Sequence, residues 1–120
     1  MNRKIGAILV LLSLASLLTA FTICIDPGHQ EKANLSQEQI APGSSETKAK
    51  VSTGTRGVNT GIPEYVFNLE LSFILRDRLQ EEGFDVVMTR ERHDVDISNI
   101  ERADFANSVA AALCIRIHAN

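Results

Sequence analysis

Hydrophobic and polar positions follow different periods along this chain. Ile5 to Ala20 is uninterrupted by charge, with Arg3 and Lys4 in front of it. A basic stretch followed by an apolar one is the layout of an export signal. As a helix the run would reach about 24 Å, short of a bilayer core of about 30 Å. Residues 1–20 are therefore expected to be a signal peptide or, with Phe21 to Ile25 prolonging the run, a membrane anchor that would bring membrane contact.

Past this segment, short β-branched runs alternate with amphipathic ones. Phe21 to Ile25 reads as a strand that ends in Asp26-Pro27-Gly28-His29, where Pro and Gly impose a loop. Gln30 to Gly61 is rich in Gly, Ser, Thr, Asn, Lys and Glu and reads as one long loop, a length that usually goes with function or mobility. From Pro63 the period becomes helical, with Phe67, Leu71, Ile74, Leu75 and Leu79 on one stripe. Pro63 suits the first helical position and Gly83 the C-cap. Val86 to Thr89 is a second strand, and Ile97 to Ala110 a second helix with Ile100, Ala103, Phe105, Ala106 and Val109 apolar. Ala112 to Ile117 is a third strand. This order predicts an α/β fold, a mostly parallel sheet covered by helices.

Composition narrows the partners. With 44% hydrophobic and 22% charged residues, the 120-residue chain is one globular domain at most. It has no Trp and 5% aromatic residues, and 12 basic residues against 15 acidic ones give a net charge of -3. Neither stacking surface nor positive field is available, so nucleic acid is excluded as a partner. Cys24 and Cys114 sit in apolar strand-like runs and are expected to be two buried free thiols. Ser44 to Gly57 lacks the spacing of a phosphate-binding loop.

In open α/β sheets, ligands gather outside the carboxyl ends of the strands. His29 follows the first strand, His118 follows the third, and Glu64 opens the first helix where the loop returns to that edge. Two His and one Glu form a ligand set for catalytic zinc that leaves the fourth position to water. The spacing alone also fits a blander reading, with each His in a turn and Glu64 placed for the helix dipole.

Five stretches then carry a family resemblance: IDPGHQ (Ile25 to Gln30), GIPEYVFNLEL (Gly61 to Leu71), EEGFDVVMTRERHDVDI (Glu81 to Ile97), ERADFAN (Glu101 to Asn107) and IRIHAN (Ile115 to Asn120). In their order and spacing the chain resembles the zinc-dependent N-acetylmuramoyl-L-alanine amidases of type 3, bacterial cell-wall hydrolases. The resemblance implies zinc (Zn2+) held by His29, Glu64 and His118. The implied reaction is hydrolysis of the amide between N-acetylmuramic acid and L-alanine in peptidoglycan, outside the membrane in the cell wall, the periplasm or the extracellular space.

Two departures qualify what carries over. The family usually has Ser where this chain has Arg116, two residues before His118 and on the same face of the strand. Arg116, Asp26 and Asn120 are accordingly candidate contacts to the ligands or the substrate. The family also continues to a glutamate that acts as general base. Residues 21–120 are thus expected to be the N-terminal part of a catalytic domain, with its sheet incomplete at the C-terminus, the base beyond Asn120 and no turnover by these residues alone. The alternative is a non-catalytic, zinc-retaining wall-binding or vestigial protein. Ser44 to Gly57 is expected to border the zinc cleft, with Lys48, Lys50 and Arg56 placed to meet anionic stem peptides. Asp26 is expected to cap its turn or bond an imidazole, Asn68 and Asn107 to tie backbone, Arg90 and Arg102 to form structural ion pairs, and His93 to be a solvated loop residue.

Overall fold

In the computed structural model, which describes residues 21–119, the first apolar run becomes strand β1, Thr22–Pro27. It pairs in parallel with β4, Asp85–Met88, on one side and with β5, Leu113–Ile117, on the other. The sheet order is β4-β1-β5, so β1 is central and nearly all of it is buried. Parallel pairing of three strands that alternate with helices is the α/β arrangement expected from the pattern. Among the described residues, β5 has a strand on one side only. The expected signal or anchor at residues 1–20 lies outside the described residues, as does Asn120. Among those described, no helix is long and apolar enough to cross a membrane.

The expected long loop contains a hairpin. Strands β2, Asn34–Gln39, and β3, Thr47–Val51, pair antiparallel as a second sheet. Their polar sequence hides the strand period, because polar contacts hold the hairpin. Glu38 is buried, accepts a hydrogen bond from Lys48 at 2.7 Å, and also receives the backbone N–H of Ile100 near the start of the second helix, at 3.3 Å.

Helix α1 spans Glu64–Glu81 and helix α2 spans Asn99–Ser108. Pro63 is the N-cap of α1, one place before the position expected of it. Gly83, at φ +89°, stands just past the C-cap Glu82. Its N–H donates to Gln80 O at 3.0 Å and that of Phe84 to Leu79 O at 3.1 Å, the pair of bonds that closes a helix through a left-handed residue. Helix α2 starts at a capping box, with Glu101 N–H donating to Ser98 Oγ and Ser98 N–H to Glu101 Oε2.

The apolar stripe on α1 is corrected. Phe67, Leu71 and Ile74 are exposed, whereas Asn68, Leu69 and Ser72 face the sheet. Leu69 joins Ile23, Ile25 and Met88 in the core, with Phe73, Leu75, Leu79, Val86, Ile115 and Ile117 packed around them. The contact face of α1 is partly polar because Asn68 Nδ2 donates to Gly28 O at 3.2 Å and Ser72 Oγ to Asn68 O at 2.6 Å. On α2, likewise, Arg102 and Ala106 are the buried residues, while Ile100 and Phe105 are exposed. Since alternate residues of β1 face opposite ways, α1 covers the face of Ile23 and Ile25, and Arg102 of α2 meets Asp26 on the other.

Of the two free cysteines, Cys114 differs from expectation. Cys24 is fully buried, whereas its register partner Cys114 on β5 is exposed among the described residues. Burial, reinforced by the neighbouring thiol, pushes Cys24 up to about 12. At neutral pH, iodoacetamide should therefore reach Cys24 only after denaturation, since the thiolate is the reactive form. Peptide mapping by mass spectrometry checks this, and equal labelling of both thiols in the native protein would contradict the burial of Cys24.

Candidate metal centre

The site is built where β1 and β5 end and α1 begins. His29 lies two residues past β1, Glu64 is the first residue of α1, and His118 directly follows β5. Their facing atoms form a nearly equilateral triangle. His29 Nε2 to Glu64 Oε1 is 3.2 Å, His118 Nδ1 to Glu64 Oε1 is 3.1 Å, and His118 Nδ1 to His29 Nε2 is 3.1 Å. The sheet edge thus brings together the three residues that the sequence placed there.

The surroundings fix the chemical state of each member. His29 Nδ1 lies 3.1 Å from both Ser52 O and Ser52 Oγ; in the tautomer that donates to the carbonyl, Nε2 keeps its lone pair toward the triangle. Glu64 Oε2 accepts from the Thr55 N–H at 2.9 Å and the Thr55 hydroxyl at 3.1 Å, and Oε1 accepts from the Ala119 N–H at 3.0 Å. Burial alone would raise the Glu64 carboxyl. The Thr55 and Ala119 N–H groups, the His118 ring and the Thr55 hydroxyl outweigh it and bring the carboxyl down to about 2. Glu64 is therefore an anion at neutral pH, with only 2% of its side-chain surface exposed.

A lone pair, a second ring nitrogen and a carboxylate oxygen facing one another at 3.1–3.2 Å are mostly acceptors. One shared proton can bridge only one edge of such a triangle, so a cation suits all three. Donors held at about 2.0–2.1 Å around a tetrahedral ion stand roughly 3.3–3.4 Å apart, close to the observed edges. These residues fit a zinc-type ion by donor chemistry and by spacing, and among the described residues they are a His/Glu/His group that could hold a metal ion.

Two glycines make room for the triangle. A Cβ on Gly28 would lie 2.6 Å from His118 Cε1 and from Ile117 O. A Cβ on Gly54, whose φ is +81°, would lie 2.6 Å from Glu64 Oε2 and 2.7 Å from His29 Cδ2. Replacing Gly54 by Ala therefore combines a left-handed backbone with a clash against two members of the site. The expected cost is about 1–3 kcal/mol of stability, together with weaker zinc binding. Thermal unfolding and zinc titration of Gly54→Ala check both, and a wild-type zinc affinity would show that the clash is absorbed elsewhere.

Beside the triangle opens a cleft of about 590 Å³ lined by Thr55, Arg56, Val58, Ile62, Glu64 and Phe67 among others. Of the three cations expected at the cleft, only Arg56 lines it. Lys48 is held by Glu38, and Lys50 belongs to β3. Ser52, Gly54 and Thr55 lie in the Ser44 to Gly57 stretch expected at the cleft; Ser52 and Thr55 bond His29 and Glu64 there, roles that the sequence did not single out.

Asp26 neither caps its turn nor bonds an imidazole. Its Oδ1 accepts from Thr89 Oγ1 at 2.6 Å and Arg102 Nη1 at 2.8 Å, and its Oδ2 accepts from Arg116. The Arg116 side chain is thereby turned toward Asp26. Arg102 forms the expected ion pair, whereas Arg90 pairs with no carboxylate among the described residues and bonds four carbonyls instead. His93 is half-buried rather than solvated. Its ring packs edge-on against Tyr65 at 5.4 Å, and its buried Nδ1 has no hydrogen-bond partner among the described residues.

Comparison with known proteins adds an independent line. A family model described as N-acetylmuramoyl-L-alanine amidase matches residues 23–120. A crystal structure of the N-acetylmuramyl-L-alanine amidase Ami1 from Mycobacterium smegmatis superposes with a TM-score of 0.72 at 27% identity, covering 83% of this chain and 47% of that one. The N-acetylmuramoyl-L-alanine amidase of Clostridium difficile 630 gives 0.64 at 26%, covering 84% and 44%, and AmiC2 of Nostoc punctiforme gives 0.62 at 25%, covering 83% and 44%. The chain thus spans about half the length of these solved relatives. Comparison with curated proteins gave no significant match.

Proposed function

Because the chain belongs to the N-acetylmuramoyl-L-alanine amidase family, we propose that it carries the metal-binding half of a zinc-dependent hydrolase. Its proposed substrate is the amide between N-acetylmuramic acid and L-alanine in peptidoglycan. The observation that carries this reading is the triangle of His29 Nε2, Glu64 Oε1 and His118 Nδ1, with edges of 3.1–3.2 Å, at the mouth of the cleft. Zinc bound there would polarise the scissile carbonyl and lower the pKa of its water from about 15.7 to about 7.

The residues of the chain do the rest of the positioning. Ser52 holds the His29 ring in the tautomer that offers Nε2. Thr55 and Ala119 keep Glu64 ionised and aimed at the histidines. Ile62 and Phe67 give the cleft an apolar wall, and Arg56 gives it a positive charge suited to an anionic stem peptide. Both Glu64 oxygens are occupied, so Glu64 is a ligand rather than the base. We assign the general base to a glutamate in the sequence that follows Asn120, in keeping with the greater length of the solved relatives. Export of the protein, through the basic and apolar residues 1–20, belongs to the same reading, since peptidoglycan lies outside the membrane.

The test is digestion of purified peptidoglycan by the full-length, zinc-loaded protein. New amino-terminal alanine on released stem peptides supports the proposal, whereas new reducing ends of sugar contradict it. Zinc binding without release of peptide points to the non-catalytic, wall-binding alternative.

A further inference from the structure

Arg90, two residues past β4, is 3% exposed. Its Nε donates to Pro27 O at 2.9 Å, and its Nη2 donates both to Gly28 O at 3.0 Å and to Tyr65 O at 2.8 Å. Gly28 immediately precedes His29, and Tyr65 immediately follows Glu64. A single nitrogen therefore joins the backbones that carry two of the three members of the triangle. Asn68, one turn along α1 from Glu64, adds a second donor to the same Gly28 carbonyl at 3.2 Å.

The backbone held this way is strained. His29 has φ +62°, a left-handed conformation that a residue with a side chain adopts only when its surroundings impose it. The surroundings do so from both sides. Arg90 and Asn68 bind the carbonyl before His29, and Arg102 Nη2 binds the carbonyl of His29 itself at 3.2 Å. Burying a guanidinium with no carboxylate partner is costly. What it supplies in return is a rigid fork of donors that a lysine's point charge cannot reproduce.

We infer that Arg90 is a positioning residue for the metal site, setting the separation of His29 and Glu64 by tying the loop of one to the helix of the other. This rests on the proposed zinc function. It adds to it that the affinity and coordination geometry of the ion depend on a side chain that never touches the ion.

The experiment uses the full chain as wild type, Arg90→Lys and Met88→Ala, the last a core change two residues before Arg90 that leaves the guanidinium in place. All are measured at a temperature where circular dichroism shows them folded. Zinc affinity is read by chelator competition, and geometry by the visible absorption of the cobalt-substituted protein. Arg90→Lys should weaken zinc by about 10–100-fold, as loss of an outer contact to a metal ligand does, and alter the cobalt spectrum, while Met88→Ala stays near wild type. Unchanged affinity and spectrum in Arg90→Lys, or an equal loss in Met88→Ala, would overturn the inference. If Arg90→Lys does not fold, Asn68→Ala carries the test, since it removes the other donor to Gly28 O. Weakened zinc there supports the tie and unchanged zinc overturns it. A wild-type chain that binds no zinc overturns the functional reading as well, which distinguishes that failure from failure of the variant alone.

Discussion

On the proposed function, exchange of Glu64 for glutamine is expected to cost the site its metal and the full-length protein its turnover. Glu64 is the only anion of the triangle, and both of its oxygens are committed. Oε1 faces His29, His118 and the Ala119 N–H, and Oε2 faces the Thr55 N–H and hydroxyl. An amide nitrogen set on the Oε2 side would meet the Thr55 N–H donor to donor. Set on the Oε1 side, it would present hydrogens where a ligand lone pair is needed. Loss of an outer contact alone costs about 10–100-fold in metal affinity, so loss of the anionic ligand should cost on the order of a thousandfold or more. Chelator competition and peptide release measure the two effects. Near-wild-type zinc affinity in Glu64→Gln would remove Glu64 from the ligand set. The pH dependence follows from the same carboxyl, lowered from 4.5 to about 2 in the fold. A depressed pKa stabilises the fold above the unfolded value and ceases to do so as the proton binds. The contribution should be complete above about pH 4.5 and fade as pH falls toward 2.

The largest loss of stability is expected from Asp26→Asn. Asp26 is 2% exposed and is the only carboxylate paired with Arg102, itself 2% exposed, among the described residues. Removing one partner of a buried pair leaves the other charge without compensation, at a cost of about 3–5 kcal/mol. For a domain of this size that lowers Tm by on the order of 15–30 °C. Burial of Asp26 would raise its carboxyl, but Thr89, Arg102 and Arg116 hold it below the usual carboxylate range, so its stabilisation too is lost on acidification. Arg116→Ser makes the contrast. Its side chain is 39% exposed, and a partly solvated partner contributes about 1 kcal/mol or less. Scanning calorimetry of the two variants should separate them widely, and similar Tm values would show that Arg102 finds another partner.

That His29, Glu64 and His118 share one edge was legible because their positions follow from topology. A residue just past each of two parallel strands and one opening a helix must share an edge, whatever the loops do. The hairpin was not legible, since NLSQEQ carries no apolar alternation and its strands are held by Glu38, Lys48 and the start of α2. The face of α1 was misjudged for a related reason. Asn68 occupies a contact position where hydropathy expects leucine, because the loop carrying His29 presents a carbonyl there that needs a donor, and Ser72 one turn on donates to the Asn68 carbonyl of its own helix. The start of α2 was written in the chain, as Ser98 and Glu101 have the spacing of a capping box. The role of Arg90 could not be read from sequence, as it depends on carbonyls from two distant segments.

The wide spacing of the triangle in sequence also bears on how the protein folds. His118 meets Glu64 across 54 positions and His29 across 89. Such contacts form only after long loops have closed, and parallel pairing between remote strands belongs to the slow class of topologies. The ligands therefore come together late, after β1 has acquired both of its neighbours. An ion bound there at a hundred times its Kd stabilises the native state by about 2.7 kcal/mol. An interaction absent from the transition state acts on the unfolding rate and leaves the folding rate almost unchanged. On the proposed function, a chelator should thus shorten the lifetime of the folded protein far more than it delays its formation.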